Sequence, residues 1–374
     1  MPRLRGARRR RHFCVPELAE GHEPFRLYDE GDELYDDMLH SIARARGAIR
    51  LESYIFAPDE IGWRFAEALA RRGDEGLRVR VLMDAAGSLF WHSRRLARYL
   101  RAHGVRVRWF HRWNWRRPHR YNHRDHRKLL TIDEDHFYLG GFNIHRECSR
   151  AVYGEQRWRD THVRLDSELT AVANRMFDRF WKGRKRWVVK GPPRPNVLLP
   201  NHNGRCRHAL QCLYMEIFRH ARHHIYLTTP YFVPDHRTQQ ALMDAARRGV
   251  DVRLLVPAKS DVTLTRWAAQ AAYGGLLRNG VRIFEYQPRV LHAKTAVADG
   301  AWATLGTANL DYRSFFMNYE LNLVSRDPAL CQGLEAYFER DLAESVEITV
   351  GRWARRPWSR HFLEMIGWLA RRWL

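Results

Sequence analysis

The chain has 374 residues, enough for two domains that each bury a substantial core. Hydrophobic residues make up 45% of the sequence, yet no run of 18 apolar residues occurs, so no membrane-spanning helix is predicted. The formal net charge of +22 favours polyanionic partners, either nucleic acid or an anionic membrane, and five scattered cysteines argue against a disulfide framework.

The first predicted elements lead from a basic N-terminus into alternating helices and strands. The run Arg8–Arg11 has no apolar segment after it, so it is unlike a signal peptide. Residues 54–59 (Tyr-Ile-Phe-Ala-Pro-Asp) precede a stretch with helical periodicity at about 62–73 and a predicted strand at 79–83. A second helix and a strand at 105–109 follow. This alternation is typical of an α/β domain with a mixed central sheet.

A loop dense in tryptophan and arginine comes next, at residues 110–121 (Phe-His-Arg-Trp-Asn-Trp-Arg-Arg-Pro-His-Arg-Tyr). It lengthens the path from Val105 to His126 to 21 residues, whereas the matching path from Val281 to His292 has 11. Such a loop could seat phospholipid headgroups at a membrane interface or stack the bases of single-stranded nucleic acid. It could also be a solvated loop held by a few aromatic residues. Its place beside a motif favours a membrane or substrate role.

The first of two motifs follows, with His126, Lys128 and Asp133 in the spacing His-x-Lys-x4-Asp, and Asn143 at the end of Gly-Gly-Phe-Asn. Residues 129–132 (Leu-Leu-Thr-Ile) predict a strand, from which the histidine and the lysine would project to the same face. A histidine without a cysteine or second histidine at ligand spacing suits nucleophilic or acid–base chemistry, so we expect no metal and no cofactor. The lysine charge and the asparagine amide would stabilise an oxyanion such as a phosphodiester.

The second half repeats these elements. Its motif has His292, Lys294 and Asp299 at the same spacing, 166 residues later, and ends at Asn309 in Gly-Thr-Ala-Asn. Two histidines facing each other across a phosphorus atom could act in line, one forming a phosphohistidine and the other donating and then accepting the proton. The repeat also covers residues 231–235 (Tyr-Phe-Val-Pro-Asp), a helix at about 236–249, strands at 252–256 and 281–284, and a motif strand at 295–298.

Four carboxylates belong to the motifs or follow them. Asp160 and Glu320 lie at comparable places downstream, and each is a candidate to orient a catalytic imidazole. The stretch after each of them predicts an edge strand. Asp133 and Asp299 lie at strand ends before a turn, so we expect them to be structural rather than chemical. Arg313–Ser314, shortly after the second motif, are further candidates for positioning a substrate.

The last predicted element is an amphipathic helix that begins near Trp358. Its apolar residues recur on one face at helical spacing, while Arg360, Arg371 and Arg372 lie elsewhere. The pattern fits a helix lying in a membrane interface, and it equally fits a terminal helix docked on the core. Large aromatic residues close to the chain end favour the membrane. The apolar positions are Trp358, Phe362, Met365, Ile366, Leu369 and Trp373.

The two motifs resemble those of the phospholipase D superfamily, in which His-x-Lys-x4-Asp is followed by Gly-x-x-Asn, and within it the bacterial cardiolipin synthases. Further likeness lies at Leu51–Phe56, Trp158–Asp160, Thr229–Pro234 and Asn309–Ser314. The resemblance spans about residues 22–350 and is to a short form without N-terminal membrane-spanning helices. It implies two similar α/β/α domains with the active site at their interface. We expect the domains at 22–190 and 197–350, joined by a linker at 190–196, and an amphipathic C-terminal segment at 351–374.

The resemblance implies a cardiolipin synthase that moves a phosphatidyl group from phosphatidylglycerol to His126, releasing glycerol, and then to a second phosphatidylglycerol. Hydrolysis, as a phospholipase D or as a phosphodiesterase acting on nucleic acid, is the alternative. The acceptor could instead be phosphatidylethanolamine or glycerol. We expect a monomeric, peripheral protein on the cytoplasmic side of the bacterial inner membrane. The implied site residues are His126, Lys128, Asn143, Asp160, His292, Lys294, Asn309 and Glu320, together with Asp133 and Asp299.

Overall fold

The computed structural model describes residues 18–90, 93–113, 115–116, 121–185, 187, 192–201 and 208–370. Within these residues, two mixed sheets packed with helices form two similar halves, which confirms the predicted fold class. The Arg8–Arg11 run, the first two residues of the expected linker and several positions of the 110–121 loop lie outside the described residues. The expected domain boundaries stay a prediction.

The first sheet has three parallel strands continued on one side by antiparallel ones. Its strands within the described residues are β1 (Phe25–Tyr28), β2 (Ala48–Ser53), β3 (Arg78–Asp84), β4 (Arg106–Phe110), β5 (Leu129–Ile132), β6 (His136–Gly140) and β7 (His162–Leu165). They are ordered β1-β7-β6-β5-β2-β3-β4, and β2, β3 and β4 are the parallel ones. The motif strand β5 spans the four residues predicted for it. All four are buried, as suits a short apolar run in the middle of a sheet.

The second sheet repeats this arrangement with one additional strand. The strands of this half are β8 (Asn196–Pro200), β9 (His224–Thr228), β10 (Phe232–Val233), β11 (Asp251–Pro257), β12 (Arg282–Tyr286), β13 (Thr295–Ala298), β14 (Trp302–Gly306), β15 (Leu310–Asp311), β16 (Leu321–Ser325) and β17 (Ser345–Ile348). Within the described part of the chain the sheet order is β17-β12-β11-β9-β13-β14-β16-β8, while β10 and β15 form a separate parallel pair. The second motif strand, β13, also has the predicted bounds.

The expectation of edge strands after Asp160 and Glu320 is wrong. β7 pairs with β6 on one side and with β1 on the other, and β16 lies between β14 and β8 in the same way. The outer strands β1 and β8 come from the segments that begin each half. The residue pattern of β7 or β16 alone could not reveal a partner so distant in sequence.

The helices cover the outer faces of both sheets and fill the space between them. They are α1 (Gly31–Arg44), α2 (Glu60–Asp74), α3 (Ala85–Phe90), α4 (Arg94–Ala102), α5 (Arg150–Tyr153), α6 (Leu169–Trp181), α7 (Ala209–His220), α8 (His236–Arg247), α9 (Thr263–Arg278), α10 (Tyr312–Phe316), α11 (Pro328–Ala343), α12 (Val350–Ala354) and α13 (Trp358–Ala370). Phe177 of α6 and Leu334 of α11 are fully buried in a cluster that also contains residues of both sheets. This shared core holds the two halves together.

The helices predicted at about 62–73 and 236–249 are present as α2 and α8, and each begins directly after an aspartate. The side chain of Asp59 accepts a hydrogen bond from the backbone N–H of Gly62 at 2.9 Å, and that of Asp235 accepts one from Arg237 at 2.9 Å. Both aspartates therefore cap a helix N-terminus, at α2 and α8. α8 ends two residues earlier than predicted, because Gly249 has a φ of 90°, outside the helical range.

The C-terminal helix α13 is docked on α9 and still presents an apolar face to solvent. Contact is close at Gly367, where a Cβ atom would lie 2.4 Å from the backbone nitrogen of Ala268. The interpretation as a helix docked on the domain is therefore confirmed, while the interpretation as a membrane-interface helix stays a prediction. No helix within the described residues is long and apolar enough to cross a membrane. The exposed apolar face of α13 includes Trp358 (82% exposed), Phe362, Met365 and Leu369 (70% exposed), and Trp368 beside them is also exposed.

Candidate active site

The two motifs meet where the halves face each other, and each is anchored to the opposite half. The backbone N–H of His126 donates to the carbonyl oxygen of Tyr319 at 3.0 Å, and the N–H of Tyr319 donates back to Arg124 at 2.8 Å. His292 is attached to Arg159 by the same kind of bond, at 2.7 Å. The partner segments, which contain Tyr319 and Arg159, are those that carry the downstream carboxylates.

The histidine and lysine of each motif leave from an extended segment that precedes the motif strand. β5 begins one residue after Lys128, and β13 begins one residue after Lys294. The strand prediction was correct for the four residues that follow each lysine. The motif histidine itself lies outside the sheet, and its backbone N–H is hydrogen-bonded to the other half.

The orienting carboxylates pair crosswise between the halves. Nδ1 of His126 lies 3.0 Å from Oε2 of Glu320, and Nδ1 of His292 lies 2.5 Å from Oδ2 of Asp160. An imidazole N–H bonded to a carboxylate is fixed in tautomer and orientation, and its Nε2 is left for chemistry. The structure thus brings together four of the residues expected from the sequence. The packing of the two halves determines which carboxylate contacts which histidine. The sequence alone therefore does not predict this pairing.

Glu320 and Asp160 are held by different neighbours. Glu320 accepts hydrogen bonds from the hydroxyl of Thr307 at 2.6 Å, the hydroxyl of Ser314 at 3.0 Å and the amide of Asn318 at 3.2 Å. Asp160 lies against Gly141 instead, where a Cβ atom would come within 1.9 Å of Oδ1. Thr307 and Gly141 occupy the same motif position, so the first half lacks this hydroxyl because the shorter carboxylate takes its space.

The two lysines are buried beside the histidines. Nζ of Lys128 donates to the carbonyl oxygen of His126 at 2.7 Å, and Nζ of Lys294 lies 2.9 Å from Nδ1 of His292. Burial, together with the nearby charge of Lys294, lowers the pKa of Lys128 to about 7. Burial also lowers the pKa of Lys294. A bound phosphodiester would stabilise both charged forms, because an opposite charge raises the pKa of an amine.

Burial likewise keeps the free imidazoles neutral. It lowers the pKa of His292 to about 4, with Lys294 acting in the same direction and Asp160 opposing. It also lowers the pKa of His126, against the effect of Glu320. A neutral imidazole with a free Nε2 is the form that can attack phosphorus.

Aromatic side chains flank both imidazoles, and sequence reasoning missed this role. The ring of Tyr54 lies edge-on to His126 with centroids 4.9 Å apart, and Tyr231 has the same relation to His292 at 6.3 Å. Trp158 is 5.1 Å from His292 on another side. Both tyrosines belong to the repeated segments that precede α2 and α8, so the repeat itself was the available signal.

The histidines open into one cavity of about 600 Å³ between the halves, here called the interdomain cavity. Its volume is in the range of ligand sites rather than of packing defects. The motif asparagines reach it, as expected: Asn143 accepts a hydrogen bond from the backbone N–H of Ile55 at 3.2 Å, which fixes its amide. The lining includes Tyr54, His126, Asn143, Trp158, His292 and Asn309.

The motif aspartates do not line the interdomain cavity. Asp133 has a φ of 48° and Asp299 a φ of 55°, a left-handed conformation that aspartate tolerates. Asp133 follows the motif strand, so it lies roughly 16 Å along the chain from Lys128. The carboxylate of each accepts three backbone N–H groups at the start of the neighbouring strand, from Arg46, Gly47 and Ala48 or from Arg222, His223 and His224.

The described part of the chain contains no candidate metal site. There, no three histidine, cysteine, aspartate or glutamate side chains are grouped so that they could hold a metal ion.

Comparisons with known proteins agree with the geometry. The family model for the "Cardiolipin synthase, PLD-like domain" matches residues 38–181 and 214–342. The chain is 33% identical to a probable cardiolipin synthase of Bacillus subtilis over 87% of its length and 67% of that protein. It is also 33% identical to cardiolipin synthase 1 of Staphylococcus aureus, over 90% of its length and 71% of the relative. The crystal structure of a phosphatidylserine synthase from Haemophilus influenzae is similar in fold, with a TM-score of 0.68, 15% identity and coverage of 95% and 94%.

Proposed function

Since the chain belongs to the cardiolipin synthase family of phospholipase D-like proteins, we propose that it transfers a phosphatidyl group between two phosphatidylglycerol molecules. The observation that carries the proposal is the crossed arrangement of His126 and His292. Each imidazole is held by a carboxylate of the other half, and both line the interdomain cavity. Two oriented histidines in one cavity suit two successive in-line displacements at one phosphorus atom.

The first displacement would form a phosphohistidine. Nε2 of His126, the first-motif histidine, attacks the phosphorus of one phosphatidylglycerol, and the bond from phosphorus to the glycerol oxygen breaks. His292, which takes up a proton when the phosphodiester binds, donates that proton to the departing glycerol oxygen. The bound phosphodiester supplies the negative charge that raises the pKa of His292 from its low value in the empty site.

The second displacement reverses these roles. His292 takes the proton from the primary hydroxyl of a second phosphatidylglycerol, whose oxygen attacks the phosphorus while the bond to His126 breaks. The products are cardiolipin and glycerol, and both histidines return to their starting states. Lys128, Lys294 and the amides of Asn143 and Asn309 are suited to stabilise the charge on the equatorial oxygens in both steps.

The proposal is tested with the purified full chain and labelled phosphatidylglycerol in vesicles. We expect cardiolipin and glycerol to form in equal amounts. Phosphatidic acid as the main product would instead identify a hydrolase. Cleavage of single-stranded DNA without any turnover of lipid would contradict a lipid substrate.

We also propose that the protein works at a membrane surface. The exposed apolar face of α13 ends near the part of α9 that lines the interdomain cavity, since Gly367 packs on Ala268 and Thr265 of α9 is a lining residue. Trp113 and Trp115 of the long loop are 65% and 74% exposed. Aromatic residues of this kind settle at membrane interfaces, and a net charge of +22 favours the anionic cytoplasmic leaflet.

Replacing Trp358, Phe362 and Leu369 together with serine is expected to lower vesicle binding at least about tenfold, because each buries apolar area in the bilayer. Activity on detergent-dispersed lipid should be retained, since these side chains are exposed in the folded protein. Co-sedimentation with anionic vesicles at low and high salt, beside a detergent assay, measures both effects; the binding that remains should be more sensitive to salt.

A matched control replaces two exposed apolar residues on other elements, Tyr153 and Val346, with serine. Substitution is preferable to deleting α13, because deletion would uncover the surface of α9 on which Gly367 packs. An equal loss of melting temperature, detergent activity and vesicle binding would show that the face belongs to the core rather than to a membrane contact.

A further inference from the structure

The charged side chains that line the interdomain cavity are distributed unevenly, and the two displacements do not use this asymmetry. We propose that Arg124 and Arg313 form a second phosphate subsite that holds the phosphate of the acceptor phospholipid. The proposal rests on the proposed function and names how the acceptor is recognised. Both arginines line the cavity, and one comes from each half of the chain.

Arg124 is built into the cavity wall. It lies two residues before His126 on the same extended segment, so the two side chains project to the same side, roughly 6.6 Å apart along the chain. Arg124 is only 5% exposed, and its Nη2 donates to the carbonyl oxygen of His111 at 3.1 Å. Its Nη1 lies 3.3 Å from Asp84, whose pKa burial raises to about 6. Its buried Nε has no hydrogen-bond partner among the described residues.

Arg313 approaches from the second half. Both of its terminal nitrogens donate to Asn122, at 3.0 Å to the side-chain oxygen and 2.9 Å to the carbonyl oxygen. Asn122 also lines the cavity and directly precedes His123 and Arg124 in the chain, so the two guanidinium groups are attached to one short segment. Paired guanidinium groups recognise phosphate through several charge-assisted hydrogen bonds.

The opposite side of the cavity has different chemistry. The residue that corresponds to Arg124 in the second motif is Val290, two positions before His292. On that side the cavity is lined by Tyr231 and Asp261, whose side chains are hydrogen-bonded at 2.6 Å. A second phosphate would be attracted to the arginine side and repelled by the carboxylate side.

The candidate acceptors differ in whether they carry this phosphate. Phosphatidylglycerol carries a phosphate three carbons from its attacking primary hydroxyl, whereas glycerol and water carry none. A subsite for that phosphate would favour transfer to a phospholipid over exchange with glycerol or hydrolysis. It would act on the choice of acceptor, because in the proposed mechanism the phosphate that reacts is bound at the two histidines instead.

The test compares two reactions of the full-length protein with phosphatidylglycerol as the donor: formation of cardiolipin, and exchange of its headgroup with labelled glycerol. In Arg313→Gln, we expect the ratio of the two rates to fall at least about tenfold, because hydrogen bonds to charged groups are among the strongest. Arg124→Lys keeps a positive charge beside Asp84 and should lower the same ratio. Arg237→Gln, on the exposed start of α8, is the control and should keep the wild-type ratio.

Equal losses in both reactions would overturn the inference, since the arginines would then act on the reacting phosphate or on the fold. An unchanged ratio in both arginine variants would overturn it as well. If the wild-type protein produced neither cardiolipin nor glycerol exchange, the proposed function would fail rather than the assignment of this subsite.

Discussion

Replacing His126 or His292 with alanine is expected to slow cardiolipin formation by about 10⁴-fold or more. One change removes the atom that bonds to phosphorus, and the other removes the proton donor and acceptor, so neither residue can replace the other. Initial rates with labelled phosphatidylglycerol measure the effect, and circular dichroism checks that each variant is folded. A variant that kept a tenth of the wild-type rate would contradict the role of that histidine.

The same assay tests the expected metal-free chemistry. Chelating agents should leave the wild-type rate unchanged, because the proposed mechanism assigns the charge on the phosphate to Lys128, Lys294 and the amide groups. Loss of activity with a chelator, followed by recovery on addition of a divalent ion, would show that the two-histidine mechanism is incomplete.

Neutralising the carboxylates that orient the histidines should have the next largest effect. We expect Glu320→Gln and Asp160→Asn each to lower turnover about 10²-fold, as is typical when a partner that orients a histidine is lost. The crossed pairing makes a sharper prediction. Each carboxylate raises the pKa of the histidine of the other half, so its removal should lower that pKa further. NMR titration should show the change at His126 for Glu320→Gln and at His292 for Asp160→Asn. The reverse assignment would contradict the crossed pairs.

Asp133→Asn and Asp299→Asn are the matched controls. Burial would raise the pKa of each carboxyl group, but three backbone N–H groups outweigh it, and both pKa values are lowered. A carboxyl group with a lowered pKa stabilises the fold above its ordinary pKa near 4, and this stability is lost as the pH falls through that range. We expect each substitution to lower the free energy of unfolding by about 1 kcal/mol at neutral pH and to change turnover little. The effect on stability is modest because both carboxyl groups are partly exposed. Melting curves and initial rates separate the two classes of carboxylate.

The sequence predicted local structure well where a few adjacent residues determine it. The motif strands 129–132 and 295–298 are short apolar stretches whose bounds follow from residue type. The aspartates that begin α2 and α8 act through neighbours two or three residues away. The site residues could be identified because the chain contains two copies of one motif, and the residues that both copies share stand out.

Features that depend on packing between distant segments could not be predicted from the sequence. The positions of β1 and β8 outside β7 and β16 are set by strand pairing across more than a hundred residues. The crossed carboxylates depend on how the halves face each other. The amphipathic pattern of α13 did not reveal that one side is occupied by α9 while the other stays exposed, because the same stripe serves both purposes.

Because of the crossed backbone hydrogen bonds at the two motifs, each half of the site depends on the other half. If the halves separated, His126 would lose Tyr319 and Glu320, and His292 would lose Arg159 and Asp160, in a single event. Neither half alone could hold a correctly oriented imidazole, so a nascent or damaged chain with one folded half would not attack lipid. A site built in this way becomes reactive only once the whole chain has folded.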